Sequence, residues 1–147
     1  MNDKDSLYQD AIKQYARVAH GHGQLAAATG EAKLDNLLCG DRVRMQVAVT
    51  SGHIAAIAHE TKGCLLCRAA SSAIGLRAAG HDANGIEAVV HDLESLLQQG
   101  AAIPPGWPEL SMFEPARGYP SRHRCVLLPF RALLAAMAES EMKRVQR

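Results

Sequence analysis

Apolar residues recur at helical spacing from the start of the chain. Leu7, Tyr8, Ala11, Ile12, Tyr15 and Val18 fall on one stripe, behind Asp5 or Ser6 as N-cap. The stripe predicts a first helix that ends near Ala19, where His20-Gly21-His22-Gly23 breaks the pattern. Leu25 to Ala28 reads as a short edge strand before a turn at Gly30. Over Arg42 to Thr50 the period drops to two, with Val43, Met45, Val47 and Val49 on one face and Arg42, Arg44, Gln46 and Ala48 on the other. That is a half-buried strand. Ser51-Gly52-His53 makes a tight turn, and Ile54 to Thr61 returns as the paired antiparallel strand.

The helical period resumes after Gly63. An alanine-rich helix runs from about Leu65 to Ala79 and stops at Gly80; another carries Ile86, Val89, Val90, Leu93, Leu96 and Leu97 on one stripe and stops at Gly100. The segment from Gly100 to Ser121, with Pro104-Pro105-Gly106-Trp107-Pro108, is too proline-rich for regular structure and long for a connector inside a compact domain. Its Trp107 either covers part of the core or belongs to a docking surface. A last helix begins near Arg122 or Arg124 and carries Leu128, Leu133, Leu134 and Met137 ahead of a charged tail from Glu139 to Arg147, with Pro129 tolerable only in its first turns. Together these elements predict a single α/β domain of the α+β kind over residues 1–147, a small antiparallel three-stranded sheet with helices packed on one face.

Composition narrows the picture. The 147 residues suffice for one core, and 48% hydrophobic with only 4% aromatic content makes it a core of small residues between helices. A net charge of +1 supplies no broad basic field, so nucleic acid is not an expected partner. No apolar run approaches the roughly 20 residues that cross a bilayer, which predicts a soluble, cytoplasmic protein with no membrane partner. In such a reducing compartment the four cysteines are ligands or reactive thiols more often than disulfide staples.

The cysteines sit at element ends. Cys39-Gly40-Asp41 precedes the Arg42 strand, Cys64 opens the helix after the hairpin's second strand, and Cys125 stands at the entry of the last helix. The hairpin strands are antiparallel, so the start of one and the end of the other share a sheet edge, making neighbours of Cys39, Asp41 and Cys64. Free N–H groups at a helix start favour a thiolate at Cys64, and Gly63 permits the sharp turn beside it. If the last helix brings its N-terminus to that edge, three thiolates and a carboxylate form a tetrahedral set suited to zinc or cluster iron. Its single oxygen ligand suits a site that opens to exchange metal or admit sulfur. The same residues also read as small core cysteines with Asp41 as a turn residue. His20 and His22 read as ligands or as solvated loop residues, and His59 and His123 as outer-shell partners or as structural ones.

In order and at comparable spacing, Cys39-Gly40-Asp41, Gly63-Cys64, Pro120-Ser121-Arg122 and Cys125 resemble the iron–sulfur cluster assembly scaffold family, the IscU and NifU N-terminal domain group. The resemblance covers nearly the whole chain. Tyr8, Ile12 and Tyr15 are similar to the family's opening helix, and Ala69, Ser71 and Ser72 to the small residues of its cysteine-bearing helix. The insertion around residues 100–121 and Arg124 before the last cysteine resemble the SufU branch; His123 stands one residue upstream of the place where IscU carries its histidine. The IscU chaperone motif Leu-Pro-Pro-Val-Lys is replaced by Gly118-Tyr119-Pro120-Ser121-Arg122, which does not support handover through a dedicated chaperone. Val18 to Gly21 replaces an Asn-Pro-Arg-Asn segment, His59 and Thr61 replace an aromatic and a glycine, Cys67 stands where serine is common, and Pro129 where a small helical residue is usual.

The resemblance implies that Cys39, Asp41, Cys64 and Cys125 hold zinc or a transient iron–sulfur cluster. It makes Cys39, on a Gly40-hinged loop, the acceptor of persulfide sulfur from a cysteine desulfurase of the SufS type, with apo iron–sulfur acceptor proteins downstream. Asp41 keeps the site labile, and Arg122 pairs with Asp41, steadies the last loop or is a plain surface arginine. Cys67 shares a helix face with Cys64 at a familiar zinc spacing. The resemblance makes it a buried packing residue. The protein is then a scaffold or sulfur-transfer protein more than a stand-alone enzyme; the alternative is a divergent zinc-binding module that kept the fold and ligands but lost the desulfurase.

Overall fold

The computed structural model describes residues 9–146. The first helix, α1, spans Asp10–Val18 and buries Ile12 and Ala16. The sequence places its cap at Asp5 or Ser6 and its first apolar positions at Leu7 and Tyr8, which lie outside the described residues. Ala19 ends the helix in the left-handed conformation, φ 50°, and returns its N–H to the Tyr15 carbonyl.

Three antiparallel strands follow in meander order: β1 (Gly30–Asn36), β2 (Asp41–Thr50) and β3 (His53–Lys62). The β2–β3 hairpin is the expected one, turning at Ser51 and Gly52 with φ of 52° and 78°, as a two-residue hairpin loop requires. The third strand is a correction. Leu25 to Ala28 forms no strand; the Leu25 N–H instead bonds the Gln46 side chain at 2.9 Å, and the ladder begins only where the Thr29 N–H meets the Val47 carbonyl at 2.8 Å. Gly30 is the first residue of β1 rather than a turn. A Cβ there would fall 2.1 Å from the Ala136 carbonyl of the last helix, so the strand passes under that helix only because position 30 has no side chain. The alternation of Ala32 and Leu34 with exposed Lys33 and Asp35 completes the strand.

The helices α2 (Leu65–Arg77), α3 (Ala83–Gln99) and α4 (His123–Val145) follow. The last of these lies on β1 and β2, while α2 contacts β3, α1 and α4, leaving the other sheet face open. There Arg44 bridges Glu31 and Glu60. Enclosure by so many neighbours explains the composition of α2: Leu66, Cys67, Ala69, Ala70, Ser71, Ser72, Ala73 and Ile74 are all buried, which leaves room only for small side chains. The tightest crossing is with the His20-Gly21 loop, where a Cβ on Gly75 would sit 1.9 Å from the His20 carbonyl oxygen.

Two further departures from expectation concern the C-terminal third. Between Gly100 and Ser121 the chain is not irregular but winds into 3-10 turns over Pro108–Gly118 and Pro120–Arg122. Short i to i+3 turns accept proline at their starts, and burial of Leu110, Met112, Phe113 and Ala116 ties them to the core. Trp107 is fully buried against Phe130 and His81, with ring centroids 5.8 and 5.6 Å away, and so covers the core. The charged segment from Glu139 is helical as far as Val145, supported by Glu139–Lys143 and Glu141–Arg144 pairs one turn apart.

Candidate metal centre

The hairpin and the turn before it set the site. β1 ends at Asn36, and Leu37 to Gly40 form the turn that leads into β2, with the Cys39 N–H on the Asn36 carbonyl at 3.2 Å and Gly40 at φ 70°. Asp41 is the first residue of β2 and is completely buried. Arg42 pairs with Lys62 across the hairpin, so β3 delivers Gly63 and Cys64 directly beside Asp41. Gly63, at φ 155°, has no room for a side chain; its Cβ would lie 2.2 Å from Asp41 Oδ1.

Cys64 is the N-cap of α2, one position ahead of the first turn expected for it. Its N–H donates to Asp41 Oδ1 at 2.9 Å, and its sulfur lies 3.9 Å from Oδ2. A carboxylate at the positive end of a helix is well placed electrostatically. Cys125, the third residue of α4, is buried, and its thiol donates to the Cys39 sulfur at 3.3 Å. The ligand atoms of Cys39, Asp41 and Cys125 all lie within 4.8 Å of one another.

These sulfurs do not titrate independently. Cys64 is drawn down to about 7, first by its side-chain interaction with Cys125. No hydrogen bond of capping geometry reaches the Cys64 sulfur, yet the N–H groups of Cys67 and Leu66 at the open helix start still favour its thiolate. Cys125 moves strongly upward as the partner that keeps its proton, with burial adding to the shift. The arrangement is a Cys64 thiolate beside a Cys125 thiol that holds its proton, one that a bound cation would have to displace.

A metal ion fits this donor set. Ligands about 2.3 Å from a tetrahedral centre lie about 3.8 Å apart; the Cys39, Asp41 and Cys125 donors converge within 4.8 Å, whereas Cys64 Sγ, 3.9 Å from Asp41 Oδ2, falls outside that group of three. Asp41 is a buried carboxylate that makes no salt bridge among the described residues, and a buried charge of that kind calls for a cation. Cys39 is only half-buried, while the Asp41 and Cys125 side chains close the inner side.

The other candidates serve different ends. Cys67 is fully buried, and burial pushes its thiol far up, as suits a packing residue. His59 is buried in a hydrogen-bonded chain: its Nε2–H donates to the His20 carbonyl at 2.7 Å, and its Nδ1 faces Thr61 Oγ1 at 3.1 Å, which lies 2.7 Å from Ser71 Oγ. That chain, together with the His20 N–H donating to Ser72 Oγ at 2.9 Å, fastens the His20-Gly21 loop to β3 and α2. His22 stacks edge-on to His59 with centroids 6.2 Å apart and joins no cluster of ligating groups among the described residues. His123 Nε2–H donates to the Ala116 carbonyl at 3.0 Å, tying the 3-10 segment to the start of α4. Arg122 lines the outer cavity of about 670 Å³ together with Cys39, Leu38 and Arg124. Sequence reasoning passed over Leu37 and Leu38, which stand 87% and 81% exposed beside Cys39; two leucines inside a polar turn were the available signal.

Residues 7–104 match the family model described as the NifU-like N terminal domain. The iron–sulfur cluster assembly scaffold protein IscU of Thermotoga maritima is 25% identical over 132 residues, 89% of this chain and 92% of its own. The crystal structure of a nitrogen-fixing NifU-like protein (N-terminal) from Brucella abortus superposes with a TM-score of 0.90 at 29% identity, covering 97% of this chain and 99% of that one. FiSufU, a SUF-system scaffold protein from Fervidobacterium islandicum AW-1, shares the fold with a TM-score of 0.80 at 22% identity, over 90% of this chain and 98% of its own. With two thirds of its length inside the family model, and with relatives matched nearly end to end, the chain belongs to the NifU-like N-terminal domain family of iron–sulfur cluster assembly scaffolds.

Proposed function

We propose that this scaffold takes sulfur at Cys39 from a SufS-type cysteine desulfurase and holds zinc, or the cluster it is building, on Cys39, Asp41, Cys64 and Cys125, before passing its cargo to apo iron–sulfur acceptor proteins in the cytoplasm. The observation that carries the reading is the convergence of the Cys39, Asp41 and Cys125 donor atoms within 4.8 Å, with Cys39 alone of the three accessible from outside. Zinc, when bound, keeps the thiols deprotonated at neutral pH.

Transfer needs one exchange. The Cys39 thiolate attacks the outer sulfur of the desulfurase persulfide, a new S–S bond forms at Cys39 Sγ, the bond to the enzyme sulfur breaks, and the electron pair leaves with the enzyme thiolate. The outer sulfur keeps its proton, and nothing is oxidised or reduced overall. The Gly40 hinge gives Cys39 the freedom to meet the donor, since a side chain at Gly40 would touch nothing within 4 Å. Asp41, Cys64 and Cys125 are anchored in β2, at the α2 start and in α4, and keep the inner pocket formed during the exchange. The insertion around residues 100–121 and Arg124 ahead of Cys125 are what support a SufU-type reading.

The test is anaerobic incubation of the purified protein with a SufS-type desulfurase and L-cysteine, followed by intact-mass analysis and metal determination. The expected result is one or more added sulfur atoms on the wild type, none on Cys39→Ser, and faster cysteine turnover only with the wild type. A folded, metal-loaded wild type that gains no sulfur and leaves desulfurase turnover unchanged would instead favour the divergent zinc module.

A further inference from the structure

Leu37 and Leu38 are the two most exposed large hydrophobic residues among those described, and they occupy the tip of the turn that carries Cys39. Behind the tip, against α4, lies a cleft of about 320 Å³ lined by Asp35, Asn36, Leu37, Leu38, Arg124, Leu128 and Arg131. It combines apolar walls, two cations against one carboxylate, and a starved donor, since Asn36 Nδ2 is buried without an acceptor among the described residues. We propose that the Leu37–Leu38 tip and this cleft are the seat for the desulfurase segment that carries the persulfide, and that this segment presents an apolar side chain and a carboxylate.

The inference rests on the sulfur-acceptor reading and adds the docking surface to it. Geometry commits the occupant. A sulfur donated to Cys39 must come within bonding distance, about 2.05 Å, of its Sγ, while Leu37 and Leu38 lie at most two residues, about 7 Å of chain, away. Any protein that reaches Cys39 therefore covers them. Two leucines held in water gain nothing from the fold, but lose that exposure when the donor docks. The charge agrees: the cleft's own carboxylate, Asp35, pairs with Arg42 at 3.7 Å and Arg131 pairs with Glu94 at 3.9 Å, which leaves Arg124, exposed on the rim, to meet an incoming carboxylate.

The experiment titrates the desulfurase, with L-cysteine as substrate, against wild type, Leu37→Ser/Leu38→Ser and Arg124→Glu. For the double variant the scaffold concentration giving half-maximal stimulation should rise at least about tenfold, the worth of burying one leucine. Arg124→Glu should raise it less and flatten its dependence on salt. Metal content, melting temperature and the rate of Cys39 alkylation should match the wild type in both variants, showing that fold and site are intact. Unchanged half-maximal concentrations in intact variants overturn the docking proposal while leaving the acceptor reading standing. A wild-type dimer dispersed by the leucine variant, with stimulation unaltered, would assign the tip to a second copy instead. A wild type that stimulates nothing overturns both readings.

Discussion

Gly63→Ala tests whether the hairpin and Asp41 were built around each other. The new Cβ would stand 2.2 Å from Asp41 Oδ1 and 2.9 Å from its Cγ, at a backbone φ of 155° that side chains rarely adopt. The strained backbone costs about 1–3 kcal/mol. Relief of the clash requires Asp41 to swing away, giving up the hydrogen bond from the Cys64 N–H; a bond to a charged acceptor is worth about 1.5–3 kcal/mol. The expected loss of stability is thus about 2.5–6 kcal/mol by urea unfolding, with metal lost to a chromogenic chelator at least about tenfold faster. Gly52→Ala is the control: φ is 78° but a Cβ there meets nothing within 4 Å, so it should cost only about 1–2 kcal/mol and leave metal retention alone. In an Asp41→Ala background the carboxylate clash disappears and Gly63→Ala should cost at least about 1 kcal/mol less. Equal costs for Gly63→Ala and Gly52→Ala, with metal retained, would refute the packing of Asp41 against this glycine.

Gly75→Ala should destabilise by about 2 kcal/mol or more in a thermal melt despite the higher helix propensity of alanine, because its Cβ would meet the His20 carbonyl at 1.9 Å; a rise in melting temperature would contradict that crossing. Burial holds His59 below the ordinary histidine value, against the pull of the His20 carbonyl, so as pH falls below about 6.5 the unfolded chain takes up the proton first and stability drops. Urea midpoints measured from pH 7.5 down to 5 should fall for the wild type and vary less for His59→Gln, and parallel curves would remove His59 as the cause. Cys67→Ser should keep the metal stoichiometry of the wild type, whereas Cys64→Ser should lose it; loss of metal from Cys67→Ser with retention in Asp41→Ala would make Cys67 the ligand and displace Asp41.

The sequence by itself determined the elements whose signals are local. Strict alternation over residues 42–50, the Ser51-Gly52 turn and the return strand define the hairpin, and an antiparallel hairpin necessarily brings Asp41 and Cys64 to one edge. The alanine-rich composition of α2 and the glycine stop at Gly100 were legible for the same reason, whereas α2 ends at Arg77 with Ala78 as its cap, ahead of the stop expected at Gly80. What the tertiary structure decided were features that depend on a distant partner. Gly30 looks like a turn residue until α4 is laid across it, and only then does the missing side chain mark a strand passing beneath a helix. The proline-rich stretch reads as irregular in isolation, yet burial of Phe113 and Met112 against the helices winds it into 3-10 turns. Cys125 reaches Cys39 because α4 packs on β1 and β2 with its N-terminus at the sheet edge, a contact across 86 residues that no local pattern encodes. Periodicity reports which face of an element is apolar, but the face it meets, and hence the fourth side of the site, is chosen only when the core closes.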